Sequence, residues 1–386
     1  FGSRPGLQGP RWPAGMHLRG LGASMGRSAC AWAVCWLATA ALCSSRRPPF
    51  DPTSVAPGEK AWGYVSIVDD LAAQVDMPIM VVHGASAGPT LAVTAGLYPL
   101  EVCGIEAAGR LYAQLDPKQL SGKVVIVPVV NMPVFQFRTP MFKLAKSLSP
   151  MDGKDINEVF PGHPNGTVTE VLAHQLFERV VRSSDYHVDL RGGEITESHL
   201  QHTIYLERFG NLTTRAREMA AVFGLRYLIF EPEYARPGPL IYEAMARGIP
   251  SIVSESGVGF NTQPGEEEVA GHVDGVLNLL KYFGMLGGAL KRPAQQHFLL
   301  PDRIEYRTPV SGIFKHIPDQ GDVVRQGELL GHIADLDTTV LAELRAPKDV
   351  IVHEMLPRRL VYRGDRVYHL AVLGGPVPPP PARPAP

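Results

Sequence analysis

The chain has 386 residues, 45% of them hydrophobic and 19% charged, with a formal net charge of −1. That length suits one large and one small domain, and the apolar fraction is enough to bury a sizeable core. A near-neutral chain without a long single-sign run excludes a basic nucleic-acid-binding surface and points to a small-molecule or protein partner.

Residues 1–57 read as an N-terminal extension. Residues 1–24 are rich in Gly, Pro and Arg; from Met25 a single Arg27 precedes an apolar run, Ala29 to Cys43, with small residues at Ala38 and Ala40. This is the pattern of a secretory signal, and it is shorter than the about 20 apolar residues of a membrane-spanning helix. An extension without a targeting role fits equally, so cytoplasm and export both stay open. The folded body carries no membrane pattern. Cys30, Cys35 and Cys43 lie in the extension, which leaves Cys103 alone in the body and excludes an internal disulfide there. Cys103 reads as a buried structural thiol, or as a site-lining group because Glu101 is close.

Past a Pro-rich linker, residues 58–300 read as an α/β domain. The apolar runs Ile79-Met-Val-Val-His83 and Lys123-Val-Val-Ile-Val-Pro-Val-Val130 are typical of strands buried on both faces. Between them, Glu101 to Leu115 has helical spacing, with Ile105, Ala108, Leu111 and Tyr112 on one face. A second helix is predicted over Thr169 to Val181 and a third over Leu240 to Arg247. Further strands are predicted at Tyr186 to Leu190, Arg226 to Phe230 and Pro250 to Val253. Such alternation implies a mixed central sheet flanked by helices. In these sheets sites gather at the carboxyl ends of strands. Tyr98, Glu101, Asn131, Arg191 and Glu255 each follow one of the strands, so one cleft is expected there. Residues 301–374 read as a small all-β domain, and 375–386 as a Pro/Ala-rich disordered tail.

Four segments carry a family resemblance: Thr94-Ala-Gly-Leu-Tyr-Pro-Leu-Glu101, Asp152-Gly-Lys-Asp-Ile-Asn-Glu-Val-Phe-Pro-Gly162, Asp189-Leu-Arg-Gly-Gly193 and Pro250-Ser-Ile-Val-Ser-Glu-Ser-Gly257. The chain resembles the succinylglutamate desuccinylase/aspartoacylase family, zinc-dependent amidohydrolases on the zinc-carboxypeptidase fold. The C-terminal segments Pro309 to Phe314, Gly321 to Leu330 and Gly364 to Val367 resemble the barrel-sandwich domain of biotinyl and lipoyl carriers. The hairpin that would present their modified lysine is Asp335-Leu-Asp-Thr338 and has none. This region is therefore expected to cap the cleft or build a homo-oligomer.

The resemblance implies that zinc is held by two histidines and a glutamate. Glu101 occupies the glutamate slot, but the histidine slots read Tyr98 and Arg191. A tyrosine ligates poorly at neutral pH because its ordinary pKa is about 10. A guanidinium has no acceptor and does not ligate at all. Arg191 would set its own charge in the metal's place and pair with Glu101. A relocated metal site would draw on Glu101, Asp189, His199 and His202. Glu255 matches the family's general acid/base. Asn157 keeps the asparagine of the family's substrate-binding Asn-Arg pair, while Glu158 replaces its arginine. The family's upstream arginine is replaced near Ser147, and Arg138 is the candidate substitute. These changes disfavour acidic acyl-amino acids and favour a neutral or cationic ligand. Three functions compete: a metal-assisted hydrolase of amide or ester bonds with Glu255 as base; a pseudoenzyme binding a small molecule without zinc, Arg191 replacing the cation; and a scaffold assembled through the β region.

Overall fold

A computed structural model of the chain describes residues 50–69, 71, 73–137, 148–194, 197–257, 265–356 and 359–380. They lie in one compact unit, Pro49–Pro386. The α/β part runs through β1 (Glu59–Asp69), β2 (Gln74–His83), β3 (Ser86–Ala95), α1 (Val102–Gln114), β4 (Ser121–Val127), α2 (Met132–Phe137), α3 (Val168–Leu176), β5 (Tyr186–Arg191), β6 (Ser198–Tyr205), α4 (Asn211–Phe223), β7 (Tyr227–Phe230), α5 (Leu240–Ala246), β8 (Ser251–Gly257) and α6 (Glu266–Tyr282). Short strands follow: β9 (His297–Leu299), β10 (Ile304–Arg307), β11 (Gly312–His316), β12 (Val323–Val324), β13 (Leu329–Ala334), β14 (Val340–Arg345), β15 (Val350–Met355), β16 (Leu360–Val361), β17 (Arg366–Ala371) and β18 (Leu373–Pro376).

Among the described residues, fourteen strands form one mixed sheet whose main path is β1-β2-β4-β3-β5-β8-β6-β15-β17-β10. Its centre is parallel, β4-β3-β5-β8. Side chains alternate across a strand, and the core divides accordingly. Leu91, Val93, Val188 and Leu190 pack with α1, α4 and α6 on one face. Ala92, Val81 and Val127 pack with α3 and α5 on the other. The predicted Val/Ile runs are these central strands, and the architecture is the mixed sheet flanked by helices.

The C-terminal β region has two layers. The four-stranded sheet β14-β13-β11-β16 packs Phe314, Leu330 and Ile333 against Val352, Tyr368 and Leu370 of β15 and β17. β15 also pairs antiparallel with β6, Glu354 opposite His199. The boundary expected at residue 300 therefore falls inside a continuous sheet. Cys103 is buried in the core, and burial pushes its thiol up to about 11. Among the described residues no helix is long and apolar enough to cross a membrane.

Close packing of α1 sets the position of Glu101. Cys103, Ala107, Ala108 and Leu111 are buried at helical spacing. A Cβ on Gly104 would stand 2.3 Å from the carbonyl oxygen of Leu190, so α1 lies directly on β5. Gly109, in the same helix, would meet nothing within 4 Å. Gly104→Ala is expected to lower the unfolding free energy by about 1–3 kcal/mol through overpacking. Gly109→Ala should leave it unchanged or raise it by up to about 1 kcal/mol from helix propensity. Urea unfolding of both variants checks this; equal effects would remove the claim that α1 is seated through Gly104.

Candidate functional site

The site lies where the parallel strands end. Arg191 is opposite Glu255 in the β5–β8 register, and Glu255 is opposite His202 in the β8–β6 register. Residues in register share a face, so these three form one row. Two glycines allow the strands to converge there. A Cβ on Gly192 would meet Ser256 O at 2.1 Å, and one on Gly193 would meet Gly257 O at 2.3 Å. Above the row opens a cavity of about 530 Å³, lined by eleven carboxylates and four arginines.

Arg191 is 5% exposed and held on every side. Its Nε and Nη2 donate to Glu101 at 3.4 Å, its Nη1 donates to the Tyr234 hydroxyl at 2.8 Å, and Nη1 lies 3.9 Å from Glu255 Oε1. The guanidinium carbon stands 4.6 Å from the Tyr98 ring centroid and 5.7 Å from that of Tyr234. Burial alone would lower its pKa, but Tyr234, Glu101 and Glu255 keep it firmly protonated. Burial holds the Tyr98 phenol well above its ordinary value, and that hydroxyl donates to Asp155 at 3.2 Å. The residues in the family's zinc slots therefore do not fit the ion: one is a protonated phenol committed to Asp155, and the other a cation that occupies the glutamate itself.

Glu255 differs from the other acids. It is buried, and its Oε2 has no hydrogen-bond partner among the described residues. Burial pushes its pKa up to about 7 against the lowering effects of Arg191 and His199. Beneath it runs a buried polar chain. Thr94 Oγ1 donates to Asp189 at 2.6 Å, and the ring of His187 joins Thr94 at 2.9 Å and Ser251 at 2.7 Å. Because Thr94 gives its proton to Asp189, His187 Nε2 must be the donor toward Thr94 and Nδ1 the acceptor from Ser251. Burial lowers His187 to about 3 and raises Asp189 to about 6.

The four residues considered for a relocated metal do not converge. Glu101 is joined to Arg191 and Asp189 to Thr94. His202 Nδ1 lies 2.6 Å from Leu200 O, and burial lowers its pKa to about 3. His199 lies between Glu197 at 3.4 Å and Glu354 at 3.8 Å. Burial opposes its protonation, but Glu354 and Glu197 raise its pKa to about 9. Among the described residues, the groups of three whose donor atoms lie within 4.8 Å are His353–Glu354–His369 and Glu197–His199–Glu354.

Asn157 lines the cavity, but its Oδ1 accepts from Leu240 N at 3.1 Å and anchors the start of α5. Glu158 receives two bonds of 2.7 Å from Arg236, which compensates the anion expected to stand in the arginine's place. Arg138 and Ser147 lie outside the described residues. Sequence reading missed Tyr234 and Arg236, on the Pro-rich loop Glu231-Pro-Glu-Tyr-Ala-Arg-Pro237 after β7, and also Arg303, Glu354, Arg366 and His369. Two local signals exist: that loop follows the carboxyl end of a buried strand, and His353-Glu354 interrupts the apolar run of β15.

Comparison with known proteins places this geometry. The succinylglutamate desuccinylase/aspartoacylase catalytic domain matches residues 87–283. The chain is 30% identical over 325 residues to the N-alpha-acetyl-L-2,4-diaminobutyric acid deacetylase of Halomonas elongata, covering 81% of this chain and 87% of that protein. Among solved structures, a succinylglutamate desuccinylase/aspartoacylase from Rhodobacter sphaeroides is 28% identical with a TM-score of 0.70, covering 83% of this chain and 97% of the other. A product-bound ectoine utilization protein from Ruegeria pomeroyi is 23% identical with a TM-score of 0.72, covering 85% and 100%, and supports the fold. The chain belongs to the succinylglutamate desuccinylase/aspartoacylase family.

Proposed function

We propose that the cleft takes an N-acyl amino acid with a cationic side chain and hydrolyses its acyl amide, with Arg191 in place of the family's metal. Membership in a family of acyl-amino-acid deacylases supports a hydrolase role. One observation carries the finer reading: a fully enclosed guanidinium stands 3.9 Å from a buried carboxylate whose second oxygen is unpartnered. The guanidinium can bind the acyl oxygen and stabilise the negative charge that develops on it. Glu255, with its pKa pushed near 7, suits a base that takes a proton from water and returns it to the leaving amine. The excess of carboxylates over arginines around the cavity favours an ammonium on the substrate. The Halomonas relative is named for a diamino acid, which carries such an ammonium. A second reading, binding without turnover, is favoured by the three donors of Arg191 already engaged by Glu101 and Tyr234.

The substrate reading is checked by mass spectrometry of product release from N-acetyl-2,4-diaminobutyrate and N-succinylglutamate. The diamino compound should be cleaved preferentially. Arg191→Met should lower kcat/KM by about 10²–10³ and Glu255→Gln by about 10²–10⁴. A thermal shift with the same compound but no product would select binding without turnover; neither shift nor product would sink the cleft as an acyl-amino-acid site.

Glu255 also predicts a pH dependence of stability. Its folded pKa lies above its unfolded value of about 4.3, so between the two the folded state holds a proton that the unfolded chain has released. Stability from this group is therefore complete at low pH, falls as pH rises through the window, and stays reduced above about 7. Glu255→Gln cannot ionise and should be more stable than wild type by on the order of 2 kcal/mol at about pH 8, with the difference closing near pH 4. Urea unfolding at both pH values measures it, and a difference independent of pH would refute the assignment.

A further inference from the structure

We propose that His353, Glu354 and His369 form a divalent transition-metal site of the zinc class on the C-terminal wall of the cavity, separate from the position held by Arg191. The site begins with an irregularity in β15. In its register with β17, Val352 is opposite Leu370 and Glu354 is opposite His369, so His353 is an extra residue. Neighbours on a regular strand face opposite sides, and a bulge re-aims one of them. The outcome is that His353 Nδ1 lies 3.3 Å from Glu354 Oε1, while His369 Nδ1 lies 3.2 Å from Glu354 Oε2. Donor atoms bound tetrahedrally to zinc at about 2.0–2.2 Å stand about 3.3–3.6 Å apart. Both imidazole–carboxylate distances are near that spacing, and one donor atom from each of the three residues lies within 4.8 Å of the others.

An independent observation points to a ligand. His353 is completely buried, and neither of its ring nitrogens has a hydrogen-bond partner among the described residues. Buried polar groups are nearly always satisfied, and an unpartnered buried imidazole 3.3 Å from a carboxylate is a place where a bound ion would supply the missing partner. Its companions Glu354 and His369 line the cavity, which leaves an open position for water or a ligand on that side. Three protein ligands with one open position is the pattern of catalytic rather than structural zinc.

Charge allows the ion. Four carboxylates, Glu197, Glu231, Glu305 and Glu354, surround two arginines, Arg303 and Arg366. Arg303 is paired closely with Glu231, and Arg366 with Glu197 at 2.7 Å. Their contacts with Glu354 are longer, 3.5 Å from Arg303 and 3.3 Å from Arg366, and Arg366 Nη1 lies 3.4 Å from His369 Nδ1. These are weaker than charge-assisted bonds of about 2.7–2.9 Å, so a metal can displace them while both arginines keep their nearer partners. The alternative group, Glu197–His199–Glu354, is more loosely spaced, with His199 Nε2 3.4 Å from Glu197 and Nδ1 3.8 Å from Glu354.

The test uses the full chain, stripped of metal and then dialysed against zinc, with bound zinc per chain measured by mass spectrometry. Cobalt(II) absorption reports the coordination geometry. Wild type should bind about one ion in a tetrahedral field and gain thermal stability from it. His369→Gln and Glu354→Gln should each weaken binding more than about 100-fold, because even outer-shell substitutions cost about 10–100-fold. His353→Ala should do the same, and the metal-free melting temperatures of the three variants separate ligand loss from misfolding. Glu101→Gln should keep the ion. No bound metal in wild type, or a metal kept by His369→Gln and Glu354→Gln, overturns the site. Because the readout is metal content, this outcome is independent of whether the Arg191 reading of hydrolysis holds.

Discussion

A guanidinium enclosed at the end of a parallel sheet imposes conditions on everything around it. Removing a cation from water costs several kcal/mol, and the cost is offset only where geometry supplies opposite charge and hydrogen-bond acceptors. Arg191 has both. Glu101 reaches it from the N-cap of α1, Tyr234 from the loop after β7, and the ring of Tyr98 covers its face. Glu101 arrives there because α1 lies on the backbone of β5 at Gly104. A helix packing contact, a proline-rich loop and a strand end are thus tied to one charge.

The same sheet carries a second polar row. From β6 to β10 the register places His199 opposite Glu354, Glu354 opposite His369, and His369 opposite Glu305. Imidazole and carboxylate alternate across four strands, so each imidazole has a carboxylate neighbour at cross-strand distance. Both β6 and β15 are irregular where their histidines cluster, with register shifts at His199/His202 and Val352/Glu354. His202 and His353 stack edge-on with centroids 4.6 Å apart. The C-terminal β region therefore contributes a wall of the cavity itself.

Much of this was legible in the sequence. Buried Val/Ile runs and helical spacing gave the central strands and α1, because their burial repeats at short range. Tyr98 and Arg191 were readable as misfits to a histidine pattern, and the structure pairs Arg191 with Glu101 as that reading expected. The joining of β6 to β15 was not legible. The two strands are far apart in the chain, β6 ending at Tyr205 and β15 starting at Val350, and antiparallel pairing leaves no local signature of its partner. For the same reason Glu158 read as an added anion, since Arg236 meets it only through the fold. Asn157 looked like a substrate ligand, yet its side chain holds the start of α5. Residue type marks chemical capacity, and only packing assigns its use.

Replacing a dication with a guanidinium changes what the remaining groups must do. A bound zinc lowers the pKa of its water to about 7, so that hydroxide forms with little help. A guanidinium offers one charge, no open coordination position and no such acidification; it can stabilise an oxyanion but cannot generate the nucleophile. In the proposed hydrolysis that task falls entirely on a carboxylate. An ordinary exposed glutamate, with a pKa near 4.3, is too weak a base for it at neutral pH. Glu255 is buried beside a cation that favours its ionised form, and burial still prevails, leaving it near 7. Had Arg191 approached it as closely as it approaches Tyr234, a tight ion pair would hold the carboxylate ionised and weaken it as a base. In that proposal the separation of 3.9 Å, with Glu101 taking the nearer bonds, lets the guanidinium stand beside the carboxylate without locking it in a tight ion pair.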